Sequence, residues 1–189
     1  MIPSPDASSG GLPPGRFPAS MEEIQNRFVL DDEFGSSTTR VRNWFGFNKY
    51  LEAWDRAEEQ LGVRVLLGVW IAGSFITREP NPSDIDISPI YDAKLLPTLA
   101  GMPGKGPVAQ LLGSRDWLKR HFYVEPFPLG WKPTGSSLFP EKLPSGEQQY
   151  LLLAGGLTDF WQREKRSEID GSPLHANQYA YKGFLEVFR

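Results

Sequence analysis

Apolar positions along the chain fall into runs of different period, and each period points to an element. Ser20-Met21-Glu22-Glu23 has the form of a capping box, a hydroxyl N-cap followed three residues later by a glutamate. Ile24 and Phe28 follow four apart, so a short helix is predicted that ends before Asp31. From Ser37 to about Leu61, Val41, Trp44, Phe45, Leu51 and Trp54 fit one broad helical stripe. Arg40, Arg42, Lys49, Arg56 and Glu59 are expected on its solvent side. Gly62 supplies the stop. Val63 to Ala72 is almost continuously apolar, as in a strand covered on both faces. Gly73-Ser74 begins turn chemistry, and Pro80, Asn81 and Pro82 mark a tight loop. Asp84 to Ile87 then alternates polar and apolar as a second strand.

The second half is less regular. Ala109 to Lys119 is predicted as a helix and His121 to Phe127 as a third strand, followed by loop over 128–146. A helix is expected from Gln148 to about Arg166, broken at Gly155-Gly156, and a last strand from Lys182 to Phe188. Residues 1–19 are rich in Pro, Gly and Ser. They are expected to form a flexible tail that orders near Leu12–Phe17, ahead of a single domain over 20–189. No internal repeat is present. The fold class expected is α/β (α+β), a small mixed sheet with helices packed mainly on one face.

Composition narrows the chemistry. Twelve Phe, six Tyr and six Trp among 189 residues are enough for a core, and a chain of this length buries roughly two thirds of its unfolded surface without staples. The absence of cysteine excludes thiolate zinc sites, cysteine nucleophiles and disulfides. His121 and His175 are too few for a histidine metal cluster. Met1 to Ser20 has neither the basic nor the apolar region of a secretory signal, and no apolar run reaches the roughly 20 residues of a membrane span. A cytoplasmic protein with no membrane partner is therefore expected. A net charge of −3 gives no strong general attraction to nucleic acid.

The chemistry concentrates between Gly73 and Ile87. On a strand, Asp84 and Asp86 point to one face while Ile85 and Ile87 point to the other. Two adjacent carboxylates repel unless one is protonated or a cation lies between them, and Mg²⁺ or Mn²⁺ suits such hard oxygen ligands. Gly73 allows close backbone approach and Ser74 adds donors, so the pair can hold a phosphate whose metal sits on the aspartates. Ser74 lacks the Gly-x-Ser-x-Gly setting of a hydrolase nucleophile.

An apolar strand, Gly-Ser, then Asp-x-Asp beginning eleven residues after Gly73 resembles the DNA polymerase beta-type nucleotidyltransferase superfamily. The likeness is nearest to a poorly characterised small bacterial branch. Leu12–Gly15, Gly73-Ser74-Phe75, Pro82-x-Asp84-Ile85-Asp86, Trp161-Gln162-Arg163 and Gly183–Val187 carry it. The resemblance implies a nucleotidyltransferase-like fold and transfer of an NMP from an NTP to a hydroxyl acceptor, which is RNA (including tRNA), a protein or a small molecule. It also implies Mg²⁺ or Mn²⁺ held by Asp84, Asp86 and a third acid. The match for that acid is Glu125, as ligand and general base, although aspartate is commoner there and Pro126 is unwelcome in a central strand. Arg78 is assigned to phosphate with Gly73 and Ser74. Small members also act in toxin–antitoxin and defence systems. The alternative is a catalytically silent binding module, an antitoxin or regulatory subunit with a protein partner.

Overall fold

The capping box at Ser20 forms as its spelling requires. The Ser20 hydroxyl accepts from the Glu23 N–H and the Glu23 carboxylate accepts from the Ser20 N–H, opening α1 (Met21–Phe28). A computed structural model describes residues 1–6, 10–135, 138–164 and 180–189. After β1 (Gly15–Pro18) and α1 come α2 (Arg40–Leu61), β2 (Leu66–Ala72), β3 (Ile85–Asp92), α3 (Lys105–Gly113) and α4 (Arg115–Phe122). The chain continues through β4 (Val124–Pro126), β5 (Leu129–Trp131), α5 (Ser145–Gln162), β6 (Arg163–Glu164), β7 (Ala180–Tyr181) and β8 (Gly183–Phe188). The fold is a mixed α/β arrangement around a six-stranded sheet ordered β1-β8-β2-β3-β4, with β5 also paired to β3, while β6 and β7 form a separate two-stranded sheet.

Strand alternation sorts the sheet into two faces. Trp70, Asp86, Ser88 and Glu186 share one, and Val69, Ile71, Ile87, Leu185 and Val187 the other. The second face is buried under α2, with the other early helices around it. Trp44, Phe47, Tyr50 and Trp54 of α2 are buried and their rings contact one another in series, tilted, stacked and edge-on in turn. Each such side chain contributes about 1.5–3 kcal/mol by leaving water. Helix α5 crosses the first face, where the Trp161 indole N–H donates to Ser88 Oγ at 2.8 Å.

Several expectations are corrected. Val41 and Phe45 are exposed, because the buried stripe of α2 runs through Trp44, Phe47, Tyr50 and Trp54. Arg40 is fully buried instead of solvating the helix, donating to the carbonyls of Phe28, Phe75, Thr77 and Glu79 and lying 3.8 Å over the Phe34 ring. The single helix expected over Ala109–Lys119 is two, meeting at Ser114, and His121 lies in α4. Helix α5 runs unbroken through Gly155-Gly156, since glycine weakens a helix by only about 1 kcal/mol and does not end it. The loop expected over 128–146 contains β5 and the start of α5.

The N-terminal boundary also moves. Leu12 is buried, and β1 pairs in parallel with β8 from Gly15 opposite Gly183 to Pro18 opposite Glu186. The sheet therefore begins inside the stretch assigned to the tail. Proline and glycine are tolerated there because β1 is an edge strand. Pro126 is tolerated for the same reason, β4 being the opposite edge.

Pro89 explains why the second edge is split. Ile85 N–H donates to the Tyr123 carbonyl and Phe127 N–H to that of Ile87, so alternate residues of β3 face β4. Pro89 is next on that side and has no N–H to give. Pairing lapses after Pro126 and resumes with Ile90 opposite Leu129.

Candidate metal centre

Each acidic side chain at the centre is placed by a different local device. Asp86 lies in β3, opposite Ala72 on β2 and Glu125 on β4. Asp84 comes just before β3, at the end of a loop clamped by the start of α2. The buried Asn43 donates to the Pro82 carbonyl at 2.7 Å, and the Asn81 carboxamide accepts from the Thr38 N–H at 2.9 Å. Glu125 depends on Gly46. A β-carbon there would collide with the Phe122 carbonyl at the end of α4, so Gly46 lets α4 close on α2. The chain then turns through Tyr123, at φ +53°, into β4. The Arg42 guanidinium stacks 4.4 Å over the Tyr123 ring and holds this turn.

The result is a cluster in which one oxygen from each of Asp84, Asp86 and Glu125 lies within 4.8 Å of the others. Asp84 is 6% exposed. Burial first, and then the Asp84 charge, push the Asp86 carboxyl up to about 6, against the opposing pull of Lys182, Lys119 and Arg115. Gly73 closes the floor. It ends β2 at φ +73°, and a β-carbon there would fall inside the Asp86 carboxylate. The Gly73 carbonyl accepts from Lys182 Nζ at 3.3 Å. Ser74 is half-buried in the turn that follows, its carbonyl accepting from the Thr77 N–H and hydroxyl.

The donor set fits a hard divalent cation. It is all oxygen and acidic, and its separations are short enough for one ion to reach each group. An independent sign is Asp84 Oδ2. Lys119 Nζ lies 2.7 Å from it as an ion pair, but without hydrogen-bond geometry, so this buried oxygen has no hydrogen-bond donor.

The Arg78 guanidinium is held 2.9 Å from Glu33, and its backbone N–H donates to Gly10. Arg163 pairs with Asp159, while Trp161 packs on Phe127 and Ser88. His121 stacks on Trp117, and His175 lies outside the described residues.

Two residues were not anticipated. Lys119 Nζ is 2.7 Å from Glu125 Oε2 as well as from Asp84, and Arg115 pairs with the other Glu125 oxygen. Their signal was the four-residue spacing, which puts both cations on one face of a helix leading into the acidic strand.

No described helix is long and apolar enough to cross a membrane. No curated protein and no solved structure matches the chain. One family model matches residues 4–187, nearly the whole sequence, and the chain therefore belongs to the family of unknown function DUF6932.

Proposed function

We propose that the protein is a metal-dependent nucleotidyltransferase that moves an NMP from an NTP to a hydroxyl acceptor, with pyrophosphate leaving as the α–β phosphoanhydride bond breaks. The acceptor is RNA (including tRNA), a protein side chain or a small molecule. The observation that carries this is the convergence of Asp84, Asp86 and Glu125 from adjacent strands, beside the positive-φ turn at Gly73-Ser74. Asp84, Asp86 and Glu125 would hold Mg²⁺ or Mn²⁺. When bound, such an ion supplies charge neutralisation on a triphosphate and Lewis acidity at the reacting oxygen. The chain's own part is mostly positioning. Gly73 leaves room for the Asp86 carboxylate, and Ser74 offers an N–H and a hydroxyl to a phosphate. Glu125 would accept the acceptor hydroxyl's proton. Arg78 would reach a phosphate only by leaving Glu33, from which its guanidinium lies 2.9 Å away. A cytoplasmic setting supplies the NTP and the metal, and a toxin-like or defence role belongs to the same proposal.

A second reading is a silent binding module, an antitoxin or regulatory subunit. It is favoured by Arg115 and Lys119, which engage both oxygens of Glu125. Incubation with NTPs labelled at the α- or the γ-phosphate, Mn²⁺, and pools of RNA, protein and small molecules separates the two. Transfer of the α-label alone, abolished by Asp86→Asn, supports the transferase. NTP binding without any transfer supports the module.

A further inference from the structure

Lys119 stands where the acidic cluster needs a cation. Its Nζ is 2.7 Å from Asp84 Oδ2 and 2.7 Å from Glu125 Oε2, bridging a residue before β3 and a residue of β4. Arg115, one turn earlier, takes the remaining Glu125 oxygen. The anchoring is uneven. Helix α4 is fixed by the buried Leu118 and by Phe122 packed edge-on against Tyr50 of α2, whereas the Lys119 side chain is about half exposed, at 47%. An ammonium on a flexible four-carbon stem can swing to solvent without moving its helix. It also serves Asp84 only partly, because the pair has the distance of an ion pair without hydrogen-bond geometry.

We propose that Lys119 is an exchangeable internal counter-cation: in the metal-free protein it occupies the bridging position between Asp84 and Glu125, and a divalent ion enters only as Lys119 leaves. This rests on reading the three carboxylates as metal ligands. Carboxylates this close in a partly desolvated site repel strongly, and a fixed positive charge relieves them. The entering ion supplies two charges at the same place but must displace one, so free metal binds less tightly than the acidic set alone would allow. Lys119 thereby keeps the apo cluster folded and sets the metal concentration at which the site fills.

The test is calorimetric titration of MnCl₂ into metal-stripped wild type, Lys119→Met, Lys119→Gln and Asp84→Asn/Asp86→Asn, with melting curves for each. Methionine keeps the length of the stem and glutamine keeps a polar head, so neither change depends on repacking a core. Both Lys119 variants are expected to bind Mn²⁺ at least tenfold more tightly than wild type. Both should melt lower without metal, with the gap closing when Mn²⁺ is added. The double variant should take up no ion. Lys119 variants that bind Mn²⁺ no more tightly than wild type, beside a double variant that binds none, overturn the exchange alone. A double variant that binds as wild type does places the ion elsewhere and overturns the metal reading of the carboxylates. Failure of all four proteins to bind overturns both.

Discussion

The carboxylate of Asp86 occupies the space in which a β-carbon on residue 73 would stand, and Gly73, having none, admits it. Asp86 lies in β3, and Gly73 directly follows the last residue of β2, Ala72, which is the register partner of Asp86. The Gly-Ser turn and the Asp-x-Asp strand are thus one mechanical unit. An alanine at 73 must both adopt φ near +73° and displace the carboxylate. Gly73→Ala should cost about 1–3 kcal/mol of stability and weaken Mn²⁺ binding at least tenfold. Gly156→Ala, in α5 where an added β-carbon meets nothing, should instead stabilise by about 0.5–1 kcal/mol. Denaturant melts of the two variants check the contrast.

The site should also be visible in the pH dependence of stability. The folded protein holds a proton on Asp86 up to about pH 6, against 3.8 for the free group. Because the folded state binds this proton more tightly, the contribution is favourable below about pH 4 and is lost as pH rises toward 6. Above that, the ionised group costs on the order of 3 kcal/mol without a metal. Asp86→Asn should remove this component, so the variant's melting temperature should gain on wild type from pH 4 to pH 7. Mn²⁺ affinity should fall below about pH 6, where protons compete for Asp86.

Arg40 links the early helices to the site loop. Its guanidinium collects the carbonyls of Phe75, Thr77 and Glu79, within the stretch that follows Ser74. Arg40→Met leaves the buried carbonyls of Phe28 and Phe75 unpaired, along with the part-buried contacts to Thr77 and Glu79, and should cost about 3 kcal/mol. Arg40→Lys should recover only part, lacking the planar fork. Urea unfolding and amide exchange over residues 75–79 measure both effects.

Gly46 controls Glu125 from a distance. Gly46→Ala pushes the end of α4 off α2, because the added carbon meets the Phe122 carbonyl. The change should displace β4, and with it Glu125, while leaving Asp84 and Asp86 in place. Weakened Mn²⁺ binding with an unchanged far-ultraviolet spectrum is the expected result.

What was legible in the sequence was local. The capping box at Ser20, the stop at Gly62 and the strands around Val69, Ile87 and Leu185 depend on near neighbours and on period, and all of them form. Asp84 and Asp86 could be named because alternation puts residues two apart on one face, whereas Glu125 was named only through the family resemblance; the structure brings the three together. Arg40 was misplaced because its partners lie up to 39 residues ahead, in a loop with no periodic signal. Strand β1 was hidden for a similar reason, since its register is set by residues 183–186 near the other end of the chain. Lys119 and Arg115 were read only as part of a helix, because their role appears once α4 is folded against β4.

The most direct test of the metal–nucleotide account is calorimetric titration of each NTP, with Mg²⁺ or Mn²⁺, into wild type and the Asp84→Asn/Asp86→Asn variant. The account predicts metal-dependent binding of at least one NTP to wild type and its loss in the variant. Absence of NTP binding to wild type, or equal binding to both proteins, would contradict it.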